Sequence, residues 1–69
     1  MNPETRIYAV HGMTCDHCVL SVREEVSEVG GVSAVDVELA SGRLTVTGRQ
    51  VSDDAVRDAV AEAGYEVAA

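Results

Sequence analysis

Val32-Ser33-Ala34-Val35-Asp36-Val37-Glu38-Leu39-Ala40-Ser41-Gly42-Arg43-Leu44-Thr45-Val46-Thr47-Gly48 reads as two strands and the turn that joins them. Val32, Val35, Val37 and Leu39 bracket Asp36 and Glu38, and Leu44 and Val46 alternate with Arg43, Thr45 and Thr47. Alternation at period two puts the apolar side chains of each strand on one face. Ala40-Ser41-Gly42 supplies a short glycine-containing turn and Gly48 ends the second run, so the two strands are expected to pair antiparallel.

Outward from this hairpin the period changes on both sides. From Asp16, Val19, Val22, Val26 and Val29 recur at helical spacing while Arg23, Glu24, Glu25 and Glu28 fill the other faces, and Gly30-Gly31 closes the run. Before it, Arg6-Ile7-Tyr8-Ala9-Val10 is a short β-prone run ending at His11-Gly12. Downstream, Ser52 is a candidate N-cap with Asp53 and Asp54 in the first turn. Val56, Ala59, Val60 and Ala63 then form one stripe opposite Arg57, Asp58 and Glu62, Gly64 stops the helix, and Tyr65-Glu66-Val67 gives a last short strand.

The order β-α-β-β-α-β predicts an α+β fold: a ferredoxin-like sandwich with a four-stranded antiparallel sheet and both helices on one face. In it Tyr8, Val10, Val35, Val37, Leu44 and Val46 point into the core. The loop from the first strand into the first helix emerges beside the turn from the second helix into the last strand. Tyr65 is therefore expected near Cys15 and Cys18.

A chain of 69 residues fits one domain, residues 1–69, with a small core of valine and alanine, since aromatics are only 3% of it. Its net charge of −7, from 12 acidic residues and 5 arginines, excludes nucleic acid and anionic membrane surfaces as partners. A protein with a basic patch fits. No apolar stretch is long enough to insert in a bilayer, and Met1-Asn2-Pro3-Glu4-Thr5-Arg6 lacks the pattern of a signal peptide, so a cytoplasmic location is expected.

Chemistry concentrates in Gly12-Met13-Thr14-Cys15-Asp16-His17-Cys18, where the strand-like run gives way to the helix-like one. Unpaired N–H groups and the helix dipole at such a start favour thiolates over thiols. Haem attachment would need histidine directly after the second cysteine, where Val19 stands, and structural zinc would need further ligands, yet no Cys or His follows Cys18. Thiol-disulfide exchange is the main rival. Thioredoxin-like chains, however, are longer and usually set a cis-proline against the cysteines, whereas the one proline here is Pro3. Two thiolates suit a soft monovalent ion such as Cu(I), which needs few ligands and can pass to other thiols by stepwise exchange. No constellation of nucleophile, base and orienting group suggests an enzyme.

The same heptapeptide, with Val22, Gly31-Val32 and Ala63-Gly64-Tyr65-Glu66-Val67, resembles the heavy-metal-associated domain family over about Arg6 to Val67. The resemblance implies Cu(I) handling, with Cys15 and Cys18 as the metal pair and Met13 packed beneath the loop without ligating. It implies that Tyr65 stands beside the metal loop, as in bacterial copper chaperones, and Thr14 favours copper over zinc. His17 is read as an auxiliary group that tunes the thiolates, with direct ligation or bridging of two protomers as alternatives. Asp16 is read as a helix-start residue that can serve as the cap. The expected function is a free-standing chaperone delivering Cu(I) to the metal-binding domain of a copper-transporting P-type ATPase or to a copper-responsive repressor. The chain starts at Met and ends soon after the last strand, which favours this over an N-terminal domain of such an ATPase; a mercury-binding relative ranks lower. A monomer is expected without metal, and a metal-bridged dimer is the alternative state when loaded.

Overall fold

The computed structural model describes residues 3–68. Along it run β1 (Glu4–His11), α1 (Asp16–Ser27), β2 (Val32–Glu38), β3 (Arg43–Gly48), α2 (Asp53–Glu62) and β4 (Glu66–Val67). The strands form one antiparallel sheet in the order β2-β3-β1-β4, so each helix crosses over to return the chain to the sheet. This is the expected ferredoxin-like arrangement.

Registers explain which residues face the helices. β1 pairs with β3 through Arg6↔Val46 and Tyr8↔Leu44, and β3 pairs with β2 through Val35↔Val46 and Val37↔Leu44. Tyr8, Val10, Val37, Leu44 and Val46 are buried in one cluster with Val22 and Val26 of α1 and Val56, Ala59 and Val60 of α2. Six of these, Leu44, Val22, Val26, Val46, Val56 and Val60, are fully enclosed. At roughly 1.5–3 kcal/mol each for burying such side chains, they are the main attraction between the two layers.

Three local details depart from the sequence expectation. β1 runs from Glu4 to His11, longer than Arg6–Val10, because pairing with β3 extends it to Glu4↔Gly48. α1 ends at Ser27, so Val29 lies beyond the helix, packed against the core from the following turn. Val32 and Val35 stand three apart because a bulge at Ser33 interrupts β2, and the Ser33 hydroxyl donates to the Thr47 carbonyl at 3.0 Å. Ser52 does cap α2, its hydroxyl oxygen accepting from the Ala55 N–H at 3.3 Å.

Candidate metal centre

β1 gives way at Gly12, whose φ of +96° is open to glycine and strained for other residues. The chain crosses the sheet end through Met13 and Thr14 and enters α1 at Cys15. Cys15, and not Asp16, is the N-cap: its backbone is extended (φ −155°, ψ 170°), while Asp16 is already the first helical residue. The Cys15 carbonyl accepts from the N–H groups of Cys18 at 3.1 Å and Val19 at 3.3 Å. Its side chain makes no capping bond to a backbone N–H of the helix.

The two sulfurs lie 3.2 Å apart as free thiols in unlike surroundings. Cys15 is exposed; Cys18, one turn into the helix, is only 8% exposed. The Cys18 thiol is lowered to about 6, first by the Tyr65 hydroxyl, then by the Thr14 backbone and the Cys15 thiol, against the opposing effect of burial. The hydroxyl of Tyr65 is raised in turn by the same contact. The leading cause is thus a side chain 47 positions away in the chain, ahead of the backbone groups at the helix start, and no basic group contributes.

Tyr65 reaches the loop because of how α2 ends. Gly64 adopts φ +95° and donates to the Ala61 carbonyl at 2.9 Å, while the Tyr65 N–H donates to the Val60 carbonyl at 3.1 Å. This paired closure satisfies two orphan carbonyls and turns the chain back sharply. The ring then lies against Gly12, where a Cβ would stand 3.3 Å from Tyr65 Cδ1. Sequence reading placed Tyr65 correctly but gave no role to the bareness of Gly12 or to the Thr14 backbone.

Met13 is half-buried and packs against the core, as expected of a residue beneath the loop. His17 is exposed on the first turn of α1, and His11 is exposed at the end of β1. Among the described residues, no three His, Cys, Asp or Glu side chains converge as a metal cluster. The two cysteine sulfurs are the side-chain atoms that the loop brings together. Around them the helical layer is acidic: α1, α2 and the cap Glu28 hold eight carboxylates against Arg23 and Arg57. Among the described residues, no helix is long and apolar enough to cross a membrane.

Comparison with known proteins agrees with this architecture. The copper chaperone CopZ of Bacillus subtilis (strain 168) is 42% identical over 67 residues, covering 94% of this chain and 97% of that protein. A solved CopZ metallochaperone superposes with a TM-score of 0.89 at 31% identity, over 94% of this chain and all of that one. A copper binding domain from HMA7, a P-type ATPase, superposes with a TM-score of 0.84 at 29% identity, over 94% and 93% of the two chains. The model of the heavy-metal-associated domain matches residues 7–66, nearly the whole sheet-and-helix unit with both cysteines. On that match and that identity, the chain belongs to the heavy-metal-associated domain family.

Proposed function

We propose that residues 1–69 act as one heavy-metal-associated domain, a cytoplasmic Cu(I) metallochaperone that carries its ion on Cys15 and Cys18 and converts no substrate. The observation that carries this reading is the unlike pair of sulfurs: one buried and lowered to about 6, the other exposed and 3.2 Å away. The buried thiolate anchors a soft cation and the exposed thiol completes the grip. If the metal–sulfur bond is about 2.3 Å, as for zinc thiolates, two sulfurs at the present spacing would subtend roughly a right angle at the ion. A linear geometry, the preference of a two-coordinate d¹⁰ ion, requires the uncapped Cys15 side chain to swing outward. That motion also opens the ion to an incoming thiol, so release by stepwise ligand exchange follows from the same freedom.

The partner this reading names is the metal-binding domain of a copper-transporting P-type ATPase, a domain of the same fold, with a copper-responsive repressor as second recipient. The acidic helical layer beside the loop suits a recipient with basic groups. His17, exposed and outside any three-donor cluster among the described residues, is read as tuning the site. The protein is expected to be a monomer without metal. Anaerobic titration of the reduced protein with Cu(I) against a competing chelator, followed by sizing, tests the proposal. One equivalent retained per chain is expected; failure to hold Cu(I) in the absence of oxygen defeats it.

A further inference from the structure

Charge is divided unevenly between the two ends of the sheet. The pairs Ala9↔Arg43, Glu38↔Arg43 and His11↔Glu66 bring the last residues of β1 and β2 and the first of β3 and β4 to the end that carries the cysteine loop. The first turn of α1 and the last turn of α2 close the same end, because α1 begins at the loop and Tyr65, just past α2, reaches Cys18. Four carboxylates stand there, those of Asp16, Glu38, Glu62 and Glu66, and all four residues are exposed. One cation shares the end: Arg43, directly across from Glu38.

The other arginines are placed elsewhere. Arg6, Arg23 and Arg57 pair with Glu4, Asp36 and Asp53, and Arg49 follows β3 at the far end, where its N–H donates to the Gly31 carbonyl at 2.9 Å. Among the described residues, Asp16, Glu62 and Glu66 join no ion pair. Cys15 lies exposed at this rim, with Cys18 buried behind it. The helix start contributes about half a positive charge, which Asp16 in the first turn more than offsets. A monovalent cation held by two thiolates leaves the loaded pair negative as well. A sulfur compound approaching Cys15 therefore meets negative potential with or without cargo, and such a field sorts reactants by their rate of encounter.

We infer that this acidic rim makes Cys15 selective by charge: cationic and neutral sulfur compounds reach it, anionic ones are held off, and its cargo passes to thiols set among basic groups while small thiols bearing acid groups are kept from stripping it. The selection belongs to the fold; only its cargo rests on the Cu(I) reading.

Two arms test it. In the first, metal-free Cys18→Ser, whose one remaining thiol is Cys15, reacts with trimethylammonium-ethyl methanethiosulfonate or with the sulfonatoethyl counterpart. The Cys15 thiolate takes up the substituted ethylthio group as a mixed disulfide, and methanesulfinate leaves. Each rate is divided by that of N-acetylcysteinamide, a neutral thiol. The cation-over-anion preference is expected to be about tenfold at about 10 mM salt and less than about twofold at about 1 M. Glu62→Gln combined with Glu66→Gln should cut the low-salt preference about threefold.

In the second arm, the wild-type protein loaded with Cu(I) gives up its ion to cysteamine or to mercaptoethanesulfonate, followed with a chromogenic chelator. Added salt should slow the loss to the cationic thiol and speed the loss to the anionic one. A preference below about twofold at low salt overturns the inference. So does a preference unmoved by salt or by the paired glutamines, or a salt effect of the same sign on both thiols. Failure to load Cu(I) defeats the copper reading alone, since the first arm contains no metal and still decides the charge selection.

Discussion

A tyrosine stands beside an anion near each end of α2, Tyr8 of β1 at its start and Tyr65 past its end, and the two anions are held differently. Near its start, the Tyr8 hydroxyl donates to Asp53 Oδ1 at 2.6 Å, and the same carboxylate is approached by Arg6 at 3.4 Å and Arg57 at 4.0 Å. The Asp53 carboxyl is held below its usual value by the Tyr8 hydroxyl first and by the two arginines after it. Past its end, the Tyr65 hydroxyl is the leading cause that makes Cys18 an anion near neutral pH, and no cation shares the work. One charge is answered within the fold; the other is answered only by neutral donors. A carboxylate already flanked by guanidinium groups is a structural tie, whereas a thiolate without a cation retains its attraction for one from outside.

The sharpest way to break this comparison is to delete each anion. Cys18→Ser should lower Cu(I) retention by more than about a hundredfold, above the range seen when only a ligand's supporting group is lost. Because serine nearly matches cysteine in size, the melting temperature of the metal-free protein should change little below about pH 6, where the Cys18 thiol is protonated. Asp53→Asn should do the reverse, lowering the melting temperature while Cu(I) retention stays at the wild-type level. Chelator competition and thermal melts on both variants check this; a stability loss in Cys18→Ser as large as in Asp53→Asn would erase the distinction.

Deleting each hydroxyl gives a smaller effect in the same two directions. Tyr8→Phe should lower the melting temperature by roughly 4–8 °C, the change expected in a domain of this length for one lost hydrogen bond. Tyr65→Phe should reduce Cu(I) affinity by about 10–100-fold, as for other groups that orient or tune a ligand, and should leave metal-free melting nearly unchanged only below about pH 6, where Cys18 is protonated. It should also move the pH midpoint of Cys18 alkylation upward from about 6. An unmoved midpoint would mean that the Thr14 backbone and the Cys15 thiol suffice.

The two ends also differ in how far the sequence discloses them. Alternation from Val35 to Val46, the valine stripes of α1 and α2, and Ser52 were local signals, and they specified the element order and the core. The cysteine loop was legible for the same reason, since its residues are adjacent and its chemistry lies in their spacing. Local reading failed where pairing decides: the bulge at Ser33 lengthens β2 by one residue against β3, and the reach of β1 to Glu4 depends on Gly48. Cys15 takes the cap position although its side chain cannot fill it as an oxygen would. Nothing local tied Tyr8 to Asp53, 45 positions apart, or ranked Tyr65 above the helix start as the source of the thiolate.

Titration sharpens the comparison without mutating either anion. Cys18 in the fold titrates at about 6, below the ordinary thiol value of about 8.5, so ionisation favours the native state. That stabilisation is fully present above the unfolded value and is lost as pH falls through the folded one. The melting-temperature advantage of wild type over Tyr65→Phe, measured without metal, should therefore shrink between pH 9 and pH 5.5. Asp53 is also depressed, but from the carboxylate range, so its contribution disappears only at more acid pH. The advantage of wild type over Tyr8→Phe should stay flat across the window in which that of Tyr65 fades.

The smallest expected effect belongs to His17. It sits between the cysteines in sequence, yet it is exposed and joins no three-donor cluster among the described residues. An imidazole there acts on the Cys18 thiolate through solvent, where charge is screened. His17→Ala should change Cu(I) affinity by less than about tenfold, below the effect of removing the Tyr65 hydroxyl. Chelator competition on both variants decides the order. If His17→Ala costs as much as Cys18→Ser, the ion draws a nitrogen ligand from the first turn of α1, and the contrast between a closed carboxylate and a cation-free Cys18 thiolate must be redrawn with histidine as a third donor.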